Sequence, residues 1–443
     1  MLAFFLAAAL DWHSFSGGGQ VRSRHIDLDL EVSFARRAVS GTATHTLDRL
    51  APSNEFVLDT RGLAIHRVET SPDGSAFRET LYRLGAADPI RGAPLTVTLT
   101  PDARFVRIAY STGPGSTGLK WAGNNYFYTQ SWSIHARSWV PVQDSPGLKF
   151  TYSARVRVPE GMLALMSAEN SPDAPRNGEF RFRMPQPVSP QLLALAVGDF
   201  AFRSLGPRTG VYARPAVIAR AAEKCRDAER ILAAAVALAG SYLWDRYDIL
   251  VLPPGTPFGG MENPRLTFIS EKAIGGKSPP EGLIAHELAH SWSGNLATNA
   301  TWSDIWISEG ITTYLGARIE ETAFGRSTKE SVRRMCQAVE KALPKLPDPD
   351  EALHPAAENR HPDKLLGVIP YQKGALLLFA IEQAAGREAL DGFLRAYFEQ
   401  FSFRSLTTEE FSAYLKEKLP AATAVPLEQW LREKGLPACP VLQ

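Results

Sequence analysis

The sequence predicts an α+β protein of more than one domain, with an all-β half followed by a mainly α half that carries a small sheet. Three observations predict it. From about Ser23 to Phe200 apolar and polar residues alternate with a period of two, and after Pro207-Arg208 the apolar spacing becomes helical. A chain of 443 residues is also too long for one core, so two domains of roughly 200 residues are the natural expectation. The change of period sets the boundary, giving domains over 1–200 and 201–443.

In chain order, Leu2–Leu10 is an apolar run ending in small residues, like the core and cleavage region of an export signal. It lacks the preceding basic residues and is too short to span a bilayer; an export signal, truncated or misannotated, is favoured over a cytoplasmic start. In the first half, Ile26, Leu28, Leu30 and Val32 alternate with Asp27, Asp29 and Glu31, and Leu95, Val97 and Leu99 with threonines. Phe150, Tyr152, Ala154, Val156 and Val158 repeat the pattern. Each is a strand with one buried and one wetted face. Ser71-Pro72-Asp73-Gly74 and Pro175-Arg176-Asn177-Gly178 are turns between strands.

In the second half an alanine-rich helix is expected over Arg214–Trp244. Tyr247–Leu252 and Leu266–Ile269 read as buried strands flanking Gly259-Gly260-Met261-Glu262-Asn263. A helix is expected from near Pro280 to Gly294, one around Glu309, and one over Thr328–Leu343. A proline-rich connection, Leu343–Pro370, then leads to three further helical segments.

A net charge of +1 gives no bulk attraction to nucleic acid or to an anionic membrane, and no stretch can cross a bilayer. Three cysteines (Cys225, Cys336, Cys439) are too few and too scattered for a disulfide framework, and none forms C-x-x-C. A metal would have to be held by histidine and carboxylate.

Such a set exists. His286-Glu287-Leu288-Ala289-His290 is an H-E-x-x-H run in a chain with only 9 histidines, and Glu309 follows nineteen positions after His290. Residues four apart on a helix share a face, so His286 and His290 can reach one ion with Glu287 beside them. A catalytic zinc site takes three protein ligands and a water, and Glu309 on a second helix can be the third. Zinc lowers the pKa of a bound water towards ~7 and polarises a carbonyl; Glu287 can then serve as general base. An oxyanion needs a donor opposite the metal. Tyr371, in Pro370-Tyr371-Gln372-Lys373-Gly374, is a candidate, although most of the twelve tyrosines must be structural. Gly259 and Gly260 let backbone approach a ligand closely beside acidic Glu262; on local sequence a plain turn is an equal reading.

Together these stretches are recognisable. GGMEN at Gly259–Asn263, the H-E-x-x-H and Ser308-Glu309-Gly310, in that order and spacing, resemble the gluzincin aminopeptidases typified by aminopeptidase N. HELAHSWSGNLATN (His286–Asn299), PYQKG (Pro370–Gly374) and FSFRSLTT (Phe401–Thr408) resemble their leukotriene-A(4) hydrolase and aminopeptidase B branch. The resemblance runs from about Arg22 almost to the end. It implies a saddle-like β domain, a thermolysin-like catalytic domain, one zinc per chain, and removal of the first residue from peptides with a free N-terminus. It further implies zinc ligation by His286, His290 and Glu309, a general base in Glu287 and stabilisation of the tetrahedral intermediate by Tyr371. Glu262 would hold the substrate α-amine, Gly259, Gly260 and Met261 would line the peptide, and Asp363 would match an aspartate of the leukotriene branch.

Three departures qualify it. Of two family positions gripping the amine from the β domain, one is Gln130 but the other is Trp132, whose indole offers only a cation–π contact. The usual Asn before the third ligand is Ser308. Relatives continue beyond Gln443 into a helical domain, so a more open site is expected here, and a homodimer would cover the gap if solubility requires it. Two alternatives stand beside the aminopeptidase: an epoxide hydrolase of the leukotriene type, disfavoured by Leu366 where that branch has tyrosine, and an inactive peptide-binding homologue.

Overall fold

A computed structural model describes residues 11–17, 20–347 and 351–442; the run Leu2–Leu10 lies outside the described residues. The chain divides into two compact units between Ala201 and Phe202.

The first unit is built of strands. Its largest sheet has the spatial order Glu179–Val188, Phe150–Arg157, Val21–Ser33, Ala38–Arg49, Phe105–Thr112, Leu63–Ser71, Arg78–Glu79. Alternation sets which way each strand faces: Ile26, Leu28, Leu30 and Val32 are buried, whereas Asp27 and Glu31 between them are exposed. On the wetted face Asp29 sits opposite Arg155 in parallel register and bonds both Arg155 and Arg157, the latter at 2.6 Å. Two smaller sheets complete the unit, one around Ala93–Thr98 and one around Leu195–Gly198.

A charged cluster is sealed inside this unit. Arg137 and Asp144 are both fully buried; Arg137 Nε donates to Asp144 Oδ2 at 3.0 Å and its Nη2 to the Asp144 carbonyl at 2.8 Å. The Asp144 N–H donates to Asp59 Oδ2 at 2.8 Å.

The second unit begins with a five-stranded sheet in the order Ala201–Ser204, Thr209–Ala213, Tyr247–Leu252, Leu266–Ser270, Gly260–Met261. Its three central strands are parallel and buried throughout, which is why Ile249–Leu252 reads as a continuous apolar run. Gly260–Met261 is an antiparallel edge. The helices are α1 (Ile218–Lys224), α2 (Ala228–Ala239), α3 (Glu271–Gly275), α4 (Glu281–Ala289), α5 (Ile305–Phe324), α6 (Thr328–Ala342), α7 (Gly374–Ala385), α8 (Arg387–Gln400), α9 (Thr408–Lys418) and α10 (Leu427–Arg432). A short parallel pair, Ala297–Asn299 with Arg404–Leu406, joins the chain after α4 to the chain after α8. Among the described residues no helix is long and apolar enough to cross a membrane.

Four expectations need correction. The alanine-rich stretch Arg214–Trp244 is two helices rather than one. A tight turn, closed by Ala228 N–H on the Cys225 carbonyl at 3.0 Å, lets both residues sink into the core, so tertiary packing overrides propensity. The helix expected to reach Gly294 stops at Ala289, with His290 as its C-cap. Gly294 there has φ +110°, and its N–H bonds the Ala297 carbonyl at 2.8 Å. Four helices rather than three follow Pro370, because six-residue α10 is too short to display a period. Finally, Cys336 and Cys439 form a disulfide, Cα–Cα 6.0 Å, across 103 residues of sequence. Only Cys225 stays a buried free thiol.

Arg137→Met would leave the Asp144 carboxylate buried beside an apolar side chain. Breaking a buried pair this way costs about 3–5 kcal/mol, so the calorimetric melting temperature should fall by roughly 6–20 °C. A fall below about 2 °C would mean that Asp144 finds another counter-charge.

Candidate metal centre

Four pieces of the second unit assemble the site. α4 carries His286 and Glu287 and ends at His290; α5 carries Glu309; the π-turn Ile369–Lys373 carries Tyr371; and the edge strand Gly260–Met261 leads into Glu262. α5 and α7 meet backbone to backbone at two glycines. A Cβ built on Gly310 would lie 2.7 Å from Gly374 Cα, and one on Gly374 2.7 Å from Gly310 Cα. No side chain fits that contact, and through it the turn bearing Tyr371 lies against Glu309. A similar constraint governs the edge strand, where a Cβ on Gly260 would lie 2.0 Å from Glu287 Oε1.

His286 Nε2 and His290 Nε2 lie 3.6 and 3.4 Å from Glu309 Oε2. Potential donor atoms of His286, His290 and Glu309 all fall within 4.8 Å of one another, as do those of Glu262, Glu287 and His290. The His290 ring is fixed by its other nitrogen. Nδ1 is 3.0 Å from the Ser293 carbonyl, which can only accept, so Nδ1 carries a proton and Nε2 is turned towards Glu309. Thr312 Oγ1 donates to the same carbonyl at 3.0 Å. Ser293 Oγ in turn donates to the Ile307 carbonyl at 2.9 Å, tying the His290 turn to the start of α5. The His286 ring stacks on Tyr371, centroids 5.8 Å apart.

These residues fit a divalent cation. Glu309 is buried, and its Oε2, the atom facing both imidazoles, has no hydrogen-bond partner. Burial by itself would keep His290 neutral, yet the carboxylates of Glu262, Glu309 and Glu287 pull its pKa up to about 10. Burial would raise Glu309, yet His290 and His286 hold it down to about 2. Burial pushes the Glu287 carboxyl well above its ordinary range, with Glu262 and Glu309 adding to the rise. The Tyr371 phenol is raised by burial and by the same three carboxylates, so it remains a proton donor. Three carboxylates against two imidazoles leave a deficit of positive charge, which a proton on His290 fills incompletely and a divalent ion fills better.

The remaining predicted residues sit as follows. Glu262 is half-buried, burial raises its carboxyl, and its backbone carbonyl accepts from Asn295 Nδ2 at 2.8 Å. Gly259 precedes the edge strand, and the Met261 side chain is buried in the core, so Met261 offers a ligand only its backbone. Asp363 lies half-exposed on the turn Pro362–Leu365, with Oδ2 3.5 Å from His361 Nδ1. Gln130 and Trp132 belong to the first unit, half-buried just after the strand Tyr126–Thr129. Ser308 Oγ donates to Asn299 Oδ1 at 2.7 Å, anchoring α5 to the short parallel pair. The supporting residues Ser293, Thr312 and Gly374 went unassigned in the sequence, although Ser293 and Gly374 stand inside the motifs quoted above.

Two imidazoles, one carboxylate and an adjacent glutamate make this a metallohydrolase site, and the nitrogen and oxygen donors suit zinc. Residues 226–430 match the peptidase family M1 domain, and residues 22–190 match the peptidase M1 N-terminal domain. The chain is 33% identical to a leukotriene A-4 hydrolase of Xenopus laevis over 96% of its own length and 74% of that protein. It is 35% identical to a leucine aminopeptidase 2 of Yarrowia lipolytica, over 93% and 67% respectively. The structure of native yeast LTA4 hydrolase superposes with a TM-score of 0.91 at 32% identity, covering 98% of this chain and 71% of that one. The chain belongs to peptidase family M1, and it is a zinc-dependent aminopeptidase.

Gly260→Ala should retain one zinc per chain by elemental analysis, because no ligand is touched. Its Cβ must displace the Glu287 carboxylate, and kcat should fall about 100-fold, the usual effect of a ~1 Å misplacement. Unchanged kcat would mean that the edge strand yields instead.

Proposed function

We propose that the site removes single residues from peptides with a free N-terminus, using Glu287 as general base, Tyr371 as oxyanion donor and Glu262 as counter-ion to the substrate ammonium. The observation that carries this reading is the surplus of carboxylates. Glu309 serves the metal and Glu287 the water, which leaves Glu262, within 4.8 Å of both Glu287 and His290, as a third acid with no metal-binding task. A cationic group on the substrate would stabilise it there. An α-ammonium is the cation that every peptide offers next to its first amide.

Zinc held by His286, His290 and Glu309 would lower the pKa of a bound water and polarise the scissile carbonyl. Glu287 takes the attacking water's proton and returns it to the departing amine. Tyr371 donates its O–H to the oxyanion. The substrate's first residues lie along the Gly259–Met261 backbone, whose edge position leaves hydrogen-bonding groups for an extended chain. A second reading, epoxide hydrolysis, rests on the likeness to proteins named leukotriene A-4 hydrolase.

Aminoacyl anilides, epoxide fatty acids and paired free and N-acetylated peptides separate these readings. Free peptides and anilides should be cleaved, with activity lost to a chelator and restored by zinc, and acetylation should abolish cleavage. Glu287→Gln should keep its zinc while kcat falls at least ~100-fold. Equal cleavage of free and acetylated peptides would remove the role given to Glu262, and diol formation without peptide cleavage would favour the second reading.

We also propose that the protein works in an oxidising compartment outside the cytoplasm. The support is the pairing of Cys336 with Cys439, since stable structural disulfides belong to such compartments. Differential alkylation and mass spectrometry of protein taken from its native cells should find both cysteines shielded until reduction; two freely alkylated thiols would count against export.

A further inference from the structure

Lys373 is the one member of the Pro370–Gly374 motif with a buried charge and no part in the chemistry above. Its side chain is fully buried. Nζ donates to the Glu351 carbonyl at 2.8 Å and to the Glu433 carbonyl at 3.0 Å, two points far apart in sequence. Burial lowers its pKa to about 8, opposed by the Glu351 and Glu433 carboxylates, so near neutral pH it is an ammonium that depends on those acceptors.

Lys373 closes the same π-turn, Ile369–Lys373, that carries Tyr371. That turn contains Pro370, which has no N–H to give, and π geometry is held more weakly than a regular helix. Gly310 braces it through Gly374 on one side. On the other side the brace is the segment after α10. Glu433 accepts from Lys373, Gly435 N–H donates to Glu351 Oε2 at 3.0 Å, and Cys439 is bonded to Cys336 on α6. Val441 N–H then donates to Gln383 Oε1 on α7 at 2.9 Å. The segment 433–441 is therefore a strap fastened at both ends, and Lys373 is the point where it meets the turn.

We propose that Lys373 is a positioning residue: by gripping the carbonyls of Glu351 and Glu433 it fixes the turn that aims the Tyr371 hydroxyl, with the disulfide-closed strap as its anchor. The inference rests on the role given to Tyr371 above. A lysine with a purely structural task would affect folding and zinc content; one that aims Tyr371 affects turnover only while the hydroxyl is present.

The test is a double-mutant cycle on an aminoacyl anilide, with zinc-loaded wild type, Lys373→Met, Tyr371→Phe and the double variant. Lys373→Met should lower kcat about 10-fold with KM within ~2-fold, and in the Tyr371→Phe background it should change kcat by less than ~2-fold. If the full loss recurs in that background, or if Lys373→Met turns over normally, the positioning role is overturned while Tyr371 keeps its own. Full kcat in Tyr371→Phe alone would sink the reading of Tyr371, and this inference with it. Should Lys373→Met fail to fold, Cys439→Ser frees the far end of the strap with Lys373 in place. It should lower kcat about 3-fold, again only when Tyr371 is present; unchanged kcat there would overturn the proposal.

Discussion

An unmet demand for positive charge organises the catalytic half of this chain. Other buried acids of the chain have partners close by. Asp144 has Arg137, and on the far side of α5 Arg318 bonds Asp391 at 2.9 Å while Tyr314 donates to Glu382 at 2.8 Å. At the metal centre three glutamates crowd two imidazoles, and one buried Glu309 oxygen goes without a donor. A buried charge left unpaired is among the most destabilising things a fold can contain. Its presence here marks the place where the protein expects something from outside.

Keeping that arrangement in place requires close backbone packing. α4 and α5 supply the candidate ligands; the Ser293 bonds tie the His290 turn to the start of α5, and the Gly310–Gly374 contact seats α7 and the Tyr371 turn against α5. Ser293 has two tasks, orienting His290 through its carbonyl and holding the first turn of α5 through its hydroxyl. Trp302, Trp306, Tyr314 and Phe379 are buried in the same unit and supply much of its aromatic core.

Much of this was legible in the sequence, and the rest was hidden for physical reasons. Alternation in Ile26–Val32 fixes a strand because a period of two has one structural meaning, and H-E-x-x-H puts two imidazoles on one side of a helix because helical spacing does. Glu309 could be read as a third donor from its place on a following helix, whereas Tyr371 needed the family resemblance to stand out among twelve tyrosines. The break at Cys225–Asp227 carries neither glycine nor proline and is made by burial of Cys225 and Ala228, which one-dimensional pattern cannot report. The Cys336–Cys439 bond spans 103 residues, so spacing says nothing about it. Gly310 and Gly374 could each be noticed, but that they touch is a fact of three dimensions.

The short parallel pair Ala297–Asn299 with Arg404–Leu406 bears on the order of events during synthesis. A ribosome releases His286, His290 and Glu309 long before it releases Gly374, which packs on α5, and the strand Arg404–Leu406, which pairs with the chain between α4 and α5. A nascent chain therefore presents all three donors before α7, with its Tyr371 turn, and this strand can pack around them.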